Sequence, residues 1–339
     1  MNTTTIGVDL AKSVFQLSLA NQSGKIIERN RLTRGQFERF LYQQARSKLV
    51  MEACGTAHHW ARTAADAGHD VVLLHPGYVK PYVRRNKTDA ADADALVQAS
   101  RDPELKPVPA KSIDQQAMQS VHRIRQQLMD TRKQRINLAR SLLAEFGIPL
   151  PTGTRDIAAR LRAHEEELPA FLVQALDPVI DEISALKQRI DALDAQLKTF
   201  ANDHPVVQQL MTVPGIGVTT ATALFGSVPD IHQFKRARQF SSWLGLTPRE
   251  FSSGNKRLLG RISKRGDKYL RMLLIHGARA ALLAAQRKRA NGKPVTRLQQ
   301  WATDIQQQKH HNIATVALAN KMARIIWAMW TRGDEYRAK

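Results

Sequence analysis

The chain has 339 residues, with 51 Lys and Arg against 30 Asp and Glu, a formal net charge of +21. Its 43% hydrophobic and 24% charged residues suit a globular protein of about two or three domains and exclude a disordered tail or a mini-protein. The single Cys54 excludes a disulfide framework and a Cys-based zinc site, and no apolar run approaches the ~18 residues of a transmembrane helix.

Met1–Leu10 reads as a strand with an acid in it rather than as a signal segment, so a cytoplasmic protein is expected. Thr4–Leu10, Val14–Ala20 and Lys25–Leu32 are three short strand-like runs with brief breaks, the spacing of an antiparallel meander. A helix fits Arg34–Gln44, with Phe37, Phe40 and Leu41 on one face. Lys48–Ala53 is a fourth strand, His59–Ala67 a helix and Asp70–Leu74 a fifth strand; this spacing implies parallel pairing through right-handed crossovers. A meander followed by alternating α and β is the order of a ribonuclease-H-like domain.

Residues 112–146 form one long helical stretch, broken by Pro149, Pro151 and Gly153. A second long helix carries Val179, Ile183, Leu186, Ile190, Leu193 and Leu197, a heptad-spaced seam. An antiparallel hairpin of the two, also usable for dimerisation, and an ordinary amphipathic core helix both fit this spacing. The expected division is 1–110 as an α/β domain, 111–205 as a helical coiled-coil spacer and 206–339 as a helical C-terminal domain.

In that last part, Val206–Met211, Val213-Pro214-Gly215-Ile216-Gly217 and Thr219–Leu224 read as helix, tight turn, helix. The pattern recurs in DNA-binding helix–hairpin–helix units, where glycines let backbone approach a phosphate; any tight interhelical turn also favours Pro-Gly. Residues 201–339 hold 23 basic against 7 acidic residues, net +16, whereas 1–110 are net +4 and 111–200 net +1. A polyanion, nucleic acid first, is the expected partner of the C-terminal part. Lys235, Arg236, Arg238, Arg249, Lys256, Arg257, Arg261, Lys264, Arg265, Lys268 and Arg271 form a basic run opposed only by Glu250 and Asp267, and the first ten are candidate nucleic-acid contacts. Apolar residues such as Trp243, Leu246 and Leu258 interrupt the run, so it is folded rather than a tail. His311–Met329 is an amphipathic helix that closes the core.

Asp9 ends the first strand and Glu52 lies near the end of the fourth, and an acid inside an apolar strand is costly to bury unless compensated. If these strands are adjacent, both carboxylates meet at one sheet edge. In Asn86-Lys87-Thr88-Asp89-Ala90-Ala91-Asp92-Ala93-Asp94, Thr88 is a helix N-cap and Asp89 and Asp92 share one face, with Asp94 well round the helix. The helix macrodipole alone would favour acids there, but it does not explain Asp9 or Glu52. Four carboxylates together need a cation, and all-oxygen ligation selects Mg²⁺, with Mn²⁺ a possible substitute. Two such ions can activate an attacking oxygen and stabilise a leaving one at a phosphodiester.

The motifs Gly7-Val8-Asp9-Leu10-Ala11-Lys12, Met51-Glu52-Ala53-Cys54-Gly55 and Asn86–Ala93 together resemble the DEDD transposases of bacterial insertion sequences, the IS one-hundred-ten family. The C-terminal Val213–Gly217, Ala237-Arg238-Gln239-Phe240, Gly245-Leu246-Thr247-Pro248-Arg249 and Ser252-Ser253-Gly254 resemble that family's second region. The resemblance implies a Holliday-junction-resolvase-like domain of ribonuclease-H fold in which Asp9, Glu52, Asp89 and Asp92 bind Mg²⁺. It implies a serine nucleophile, matching Ser253 with Ser252 as the neighbour to be distinguished from it, that forms a covalent phosphoserine–DNA link. It further implies guidance by a structured bridge RNA, and dimers to tetramers in which the metal site of one subunit faces the serine of another. The expected protein is a bacterial DNA transposase or recombinase, nucleoid-associated when bound. The alternative is a junction-resolvase-like nuclease using metal-activated water, and a third reading is a non-catalytic nucleic-acid-binding protein.

Overall fold

The structure is a computed structural model that describes residues 4–83, 88–153 and 156–337. Asn86 and Lys87 of the third motif lie outside the described residues. The chain divides into two compact units, Met1–Ser112 and Ile113–Lys339.

The first unit is built on five strands: β1 Thr5–Asp9, β2 Val14–Ala20, β3 Ile26–Thr33, β4 Lys48–Glu52 and β5 Asp70–Leu74. They lie in the order β3-β2-β1-β4-β5, with β1, β2 and β3 antiparallel and β4 and β5 parallel to β1. The strands and the meander follow the sequence expectation almost residue for residue. Alternation sorts the side chains into two layers. Ile6, Val8, Leu49 and Met51 pack beneath helices α1 (Arg34–Gln43) and α2 (Ala57–Asp66), around Phe15, Phe37 and Trp60. On the other face Val50 and Leu74 pack with Ala95, Leu96 and Ala99 of helix α4 (Asp89–Ala99) and with Val79 of the short α3 (Pro76–Val79).

Gly7 makes that second layer possible. A Cβ there would stand 2.3 Å from the Ala93 carbonyl oxygen and 2.9 Å from a Val97 methyl, so only glycine lets α4 lie this close to β1. Thr88 caps α4, its hydroxyl accepting the Ala91 N–H at 3.2 Å.

The second unit opens with α5 (Ile113–Glu145) and, after α6 (Ile157–Arg162), α7 (Ala170–Asp203). The pairs Arg125–Asp194 (2.6 Å) and Arg135–Glu182 (2.5 Å) show that α5 and α7 run antiparallel. Ile183, Leu186, Ile190 and Leu197 of the seam are buried, while Val179 and Leu193 are half-buried. Helices α8 (Pro205–Met211) and α9 (Val218–Ser227) flank the Pro-Gly turn, and α10 (Ala237–Trp243), α11 (Lys268–Ala290), α12 (Arg297–Gln308) and α13 (His311–Arg332) complete the bundle. Between α10 and α11 the chain departs from helix. Pro248–Glu250 (β6) and Leu259–Ile262 (β7) form an antiparallel hairpin that the sequence did not announce.

Within the second unit, His122 of α5 is 3% exposed and links three helices. Its Nδ1 lies 3.0 Å from the Tyr269 hydroxyl of α11 and its Nε2 3.0 Å from Thr222 Oγ1 of α9. The Thr222 hydroxyl donates to the Val218 carbonyl at 2.7 Å, so it accepts from Nε2–H and Nδ1 accepts from Tyr269. Burial, and then the Arg125 charge, push the His122 pKa down to about 4, with Asp194 pulling weakly the other way.

Candidate active site

Asp9 and Glu52 are carried by adjacent parallel strands. The register pairs Gly7 with Val50 and Val8 with Met51, so one step further brings Asp9 level with Glu52. Both lie on the face of Gly7 and Val50, the face that α4 covers. Ala93 sits over Gly7, and Asp89 and Asp92 occupy the helical turn before it, towards the end of β1. The topology therefore directs all four carboxylates to one face at one end of the central strands. Asp9, Glu52 and Asp92 are half-buried and Asp89 is exposed. As placed, no three His, Cys, Asp or Glu side chains among the described residues stand close enough to share a metal ion. The donor set is all oxygen and partly water-accessible, chemistry that fits a hard divalent cation.

Asp94 has a different role. Arg29 of β3 donates to it through Nε (3.2 Å) and Nη2 (2.8 Å), and the buried Ser18 of β2 donates its hydroxyl at 2.6 Å. The pair raises the Arg29 pKa, by hydrogen bond first and charge second. Asp94 thus ties α4 across two strands and orients the turn that carries Asp89 and Asp92.

In the second unit Ser253 sits at a hairpin tip. Its N–H donates to the Lys256 carbonyl (3.2 Å) and the Lys256 N–H to the Ser253 carbonyl (3.1 Å), closing a two-residue turn of Gly254 and Asn255. Gly254 has φ +53°, which suits glycine in the first position of such a turn. The two adjacent serines differ. Ser252 donates its hydroxyl to Glu250 at 2.8 Å and accepts the Leu258 N–H at 3.2 Å. Among the described residues the Ser253 hydroxyl has no such partner. Lys256 is cross-strand from Ser253, whereas Arg257 is turned to Glu250 at 3.4 Å.

Lys235, Arg236, Arg238, Arg249, Lys256, Arg257, Arg261, Lys264, Arg265 and Lys268 are all exposed. Arg271, the eleventh of the basic run, is not a surface cation. It is buried, and its Nη1 donates to the carbonyls of Leu244 (3.1 Å) and Arg265 (2.9 Å). It staples the loop between β7 and α11 to the end of α10. Gly245 and Gly266 allow that fit, since a Cβ at either would meet backbone at 2.1 Å or closer. Asp267 is likewise structural, accepting the N–H groups of Tyr269 and Leu270 as the N-cap of α11. The turn before α9 uses its two glycines differently. Gly215 is packed against Gly277 of α11, where a Cβ would lie 2.5 Å from a carbonyl oxygen, so it serves helix packing rather than phosphate approach. Gly217, the N-cap residue of α9, does face open space.

Comparison with known proteins converges on one group. A family profile described as "Transposase IS116/IS110/IS902 family" matches residues 207–292, and a second, the DEDD transposase profile of IS110 elements, matches residues 6–148. The chain is 41% identical to a "Probable family 20 transposase" of Pseudomonas aeruginosa over 99% of both chains. It is 38% identical to the transposase for insertion sequence element IS1111A of Coxiella burnetii, over 98% of this chain and 91% of that one. A pilin gene-inverting protein of Moraxella bovis is 28% identical over 75% of each.

Proposed function

The chain belongs to the IS110 family of transposases, enzymes that act on DNA, and from that premise we propose that it cuts and rejoins DNA with two separately built sets of groups. A DEDD transposase domain implies a divalent metal. We assign it to Asp9, Glu52, Asp89 and Asp92, with Mg²⁺ as the ion, on the ribonuclease-H-like strand order and the shared face of the four carboxylates. When bound, the cation neutralises these acids and polarises the scissile phosphate.

Ser253 is the nucleophile. Its Oγ attacks phosphorus and loses its proton; the bond from phosphorus to one sugar oxygen breaks, and that oxygen leaves as a hydroxyl. The resulting phosphoserine link conserves the ester until a second DNA hydroxyl attacks it and returns the proton to Ser253. The observation that carries the choice of serine is the contrast with Ser252, whose hydroxyl is engaged within the hairpin. Lys256, across the turn, holds the phosphate and its developing charge. The exposed cations from Lys235 to Lys268 hold the flanking strands. A bridge RNA as guide and assembly as a dimer or tetramer complete the proposal. The name of the Moraxella bovis relative supports a strand-rejoining reading rather than hydrolysis alone.

The test is cutting of element-end DNA with Mg²⁺. Asp9→Asn should stop cutting, and Ser253→Ala should stop both cutting and the appearance of a protein–DNA adduct. Cutting without any adduct would instead assign the chemistry to metal-activated water.

A further inference from the structure

The row of the sheet that holds Asp9 continues away from the metal site. Asp9 pairs with Gln16 of β2, and Gln16 pairs with Arg31 of β3, so Asp9, Gln16 and Arg31 lie level on three neighbouring strands. With strands ~4.8 Å apart, the Arg31 backbone is roughly 10 Å from that of Asp9. Residues level across a sheet share a face, and here it is the face on which Ser18 and Arg29 reach Asp94. Helix α4 covers that Ser18–Arg29 row, and its first residue, Asp89, borders the Gln16–Arg31 row.

The uncovered ground is a cleft of about 300 Å³ lined by Lys12, Ser13, Gln16, Arg31 and, at its far wall, Asp89. Arg29 and Arg31 sit two residues apart on one strand and face the same way, yet only Arg29 is neutralised, by Asp94 at 2.8 Å. Among the described residues Arg31 and Lys12 have no acidic partner within ion-pair distance, and the Gln16 amide makes no hydrogen bond. Two unpaired cations, an amide and a hydroxyl thus face a cleft that ends at a carboxylate of the proposed metal site.

We propose that Lys12, Gln16 and Arg31 form a binding site for a backbone phosphate of DNA, near the phosphate at the four carboxylates. This rests on the DNA-cutting reading of that site. The groups match the ligand: Arg31 supplies a forked guanidinium for phosphate oxygens, Lys12 a point charge, and Gln16 and Ser13 neutral donors. A nucleic-acid strand carries a charge every ~3.4 Å of rise, so one continuing along the row from Asp9 brings a phosphate over Arg31 within a few nucleotides. The site gives the strand a direction, with its scissile phosphate at the ends of β1 and β4 and its flank running over β2 and β3.

The experiment is the salt dependence of binding to a fluorescein-labelled duplex spanning the element end, read by anisotropy with the full-length chain. Each phosphate contact contributes about 0.9 to the slope of log affinity against log salt. Arg31→Ala should lower the slope by about 0.9 and weaken binding about eightfold at 0.1 M salt. Lys12→Ala should do the same, and the double variant should lose no more slope than either alone, since both cations hold one phosphate. Arg31→Lys should keep the slope. Arg39→Ala removes the same charge from an exposed position on α1, on the opposite layer of the sheet, and should leave the slope unchanged. If Arg31→Ala has the wild-type slope, or if Arg39→Ala loses as much, the phosphate site is overturned. If the wild-type protein itself shows no salt-dependent binding, the DNA reading fails instead.

Discussion

Asp9 and Ser253 are held in opposite ways. Asp9 ends a central strand whose Ile6 and Val8 are wholly buried, and its level is fixed by hydrogen bonding to strands on both sides. Ser253 lies in a stretch, residues 248–261, in which every residue is exposed, and it is placed by a two-residue turn. A metal centre needs ligand oxygens placed within about 0.5 Å, which a packed sheet supplies. A nucleophile that must reach phosphorus in a DNA backbone needs open approach, which a hairpin tip supplies. The base of the basic hairpin is anchored where the buried Arg271 fastens the following loop.

Loss of either group should show first in activity. Asp9→Asn and Ser253→Ala should each cost roughly 10³-fold or more in DNA cutting, the scale for losing a group that acts on the reacting atoms. Ser253→Ala should not lower the thermal midpoint. Ser252→Ala should keep covalent chemistry, with a partial loss of rate, when cutting and adduct formation are followed on the same DNA.

Acid should separate the second unit's interior from its hairpin. The His122 pKa falls from 6.5 unfolded to about 4 folded, so the imidazole is neutral in the native protein. The unfolded chain then binds more protons between those values. Stability is fully present above pH 6.5 and falls as pH drops towards 4, by about 3 kcal/mol for this group. Urea denaturation from pH 7 to pH 4 should show that loss, and His122→Gln should flatten that part of the curve.

Glycine substitutions sharpen the contrast of scaffolds. Gly7→Val pushes a side chain into Ala93 and Val97 and should cost up to about 3 kcal/mol in denaturant unfolding of the first unit. Gly254→Ala meets no atom within 4 Å and bears only the strain of its positive φ, about 1 kcal/mol. Two aspartates of one helix should also differ. Asp94→Ala strands the buried Ser18 hydroxyl and should cost about 1–2 kcal/mol, whereas Asp92→Ala should leave stability near wild type while removing metal affinity. Denaturation curves paired with a Mn²⁺ titration check both.

The same contrast governs what could be read from the sequence. The five strands and the acids Asp9 and Glu52 were legible because apolar alternation marks a strand and a carboxylate inside one stands out. The cap at Thr88 and the long helices near 112–146 and 179–197 were legible for the same local reasons. The 248–262 hairpin was hidden because both its faces are exposed, so no buried stripe marks a period of two. Only Gly254-Asn255 carried a turn signal. The roles of Asp94 and Arg271 were hidden differently. Asp94 reaches partners 65 and 76 positions away, and Arg271 looks like its basic neighbours until the backbone carbonyls it serves are in place.

Locating the covalent link decides whether an exposed hairpin serine attacks DNA while a sheet-borne carboxylate set holds the metal. Wild-type protein is reacted with element-end DNA and Mg²⁺, the adduct is digested with protease and nuclease, and the nucleotide-bearing peptide is sequenced by tandem mass spectrometry. The predicted result is a nucleotide on Ser253 that is absent when Asp9→Asn protein is used. A nucleotide on Ser252 or on any other side chain, or cut DNA with no modified peptide, would contradict it.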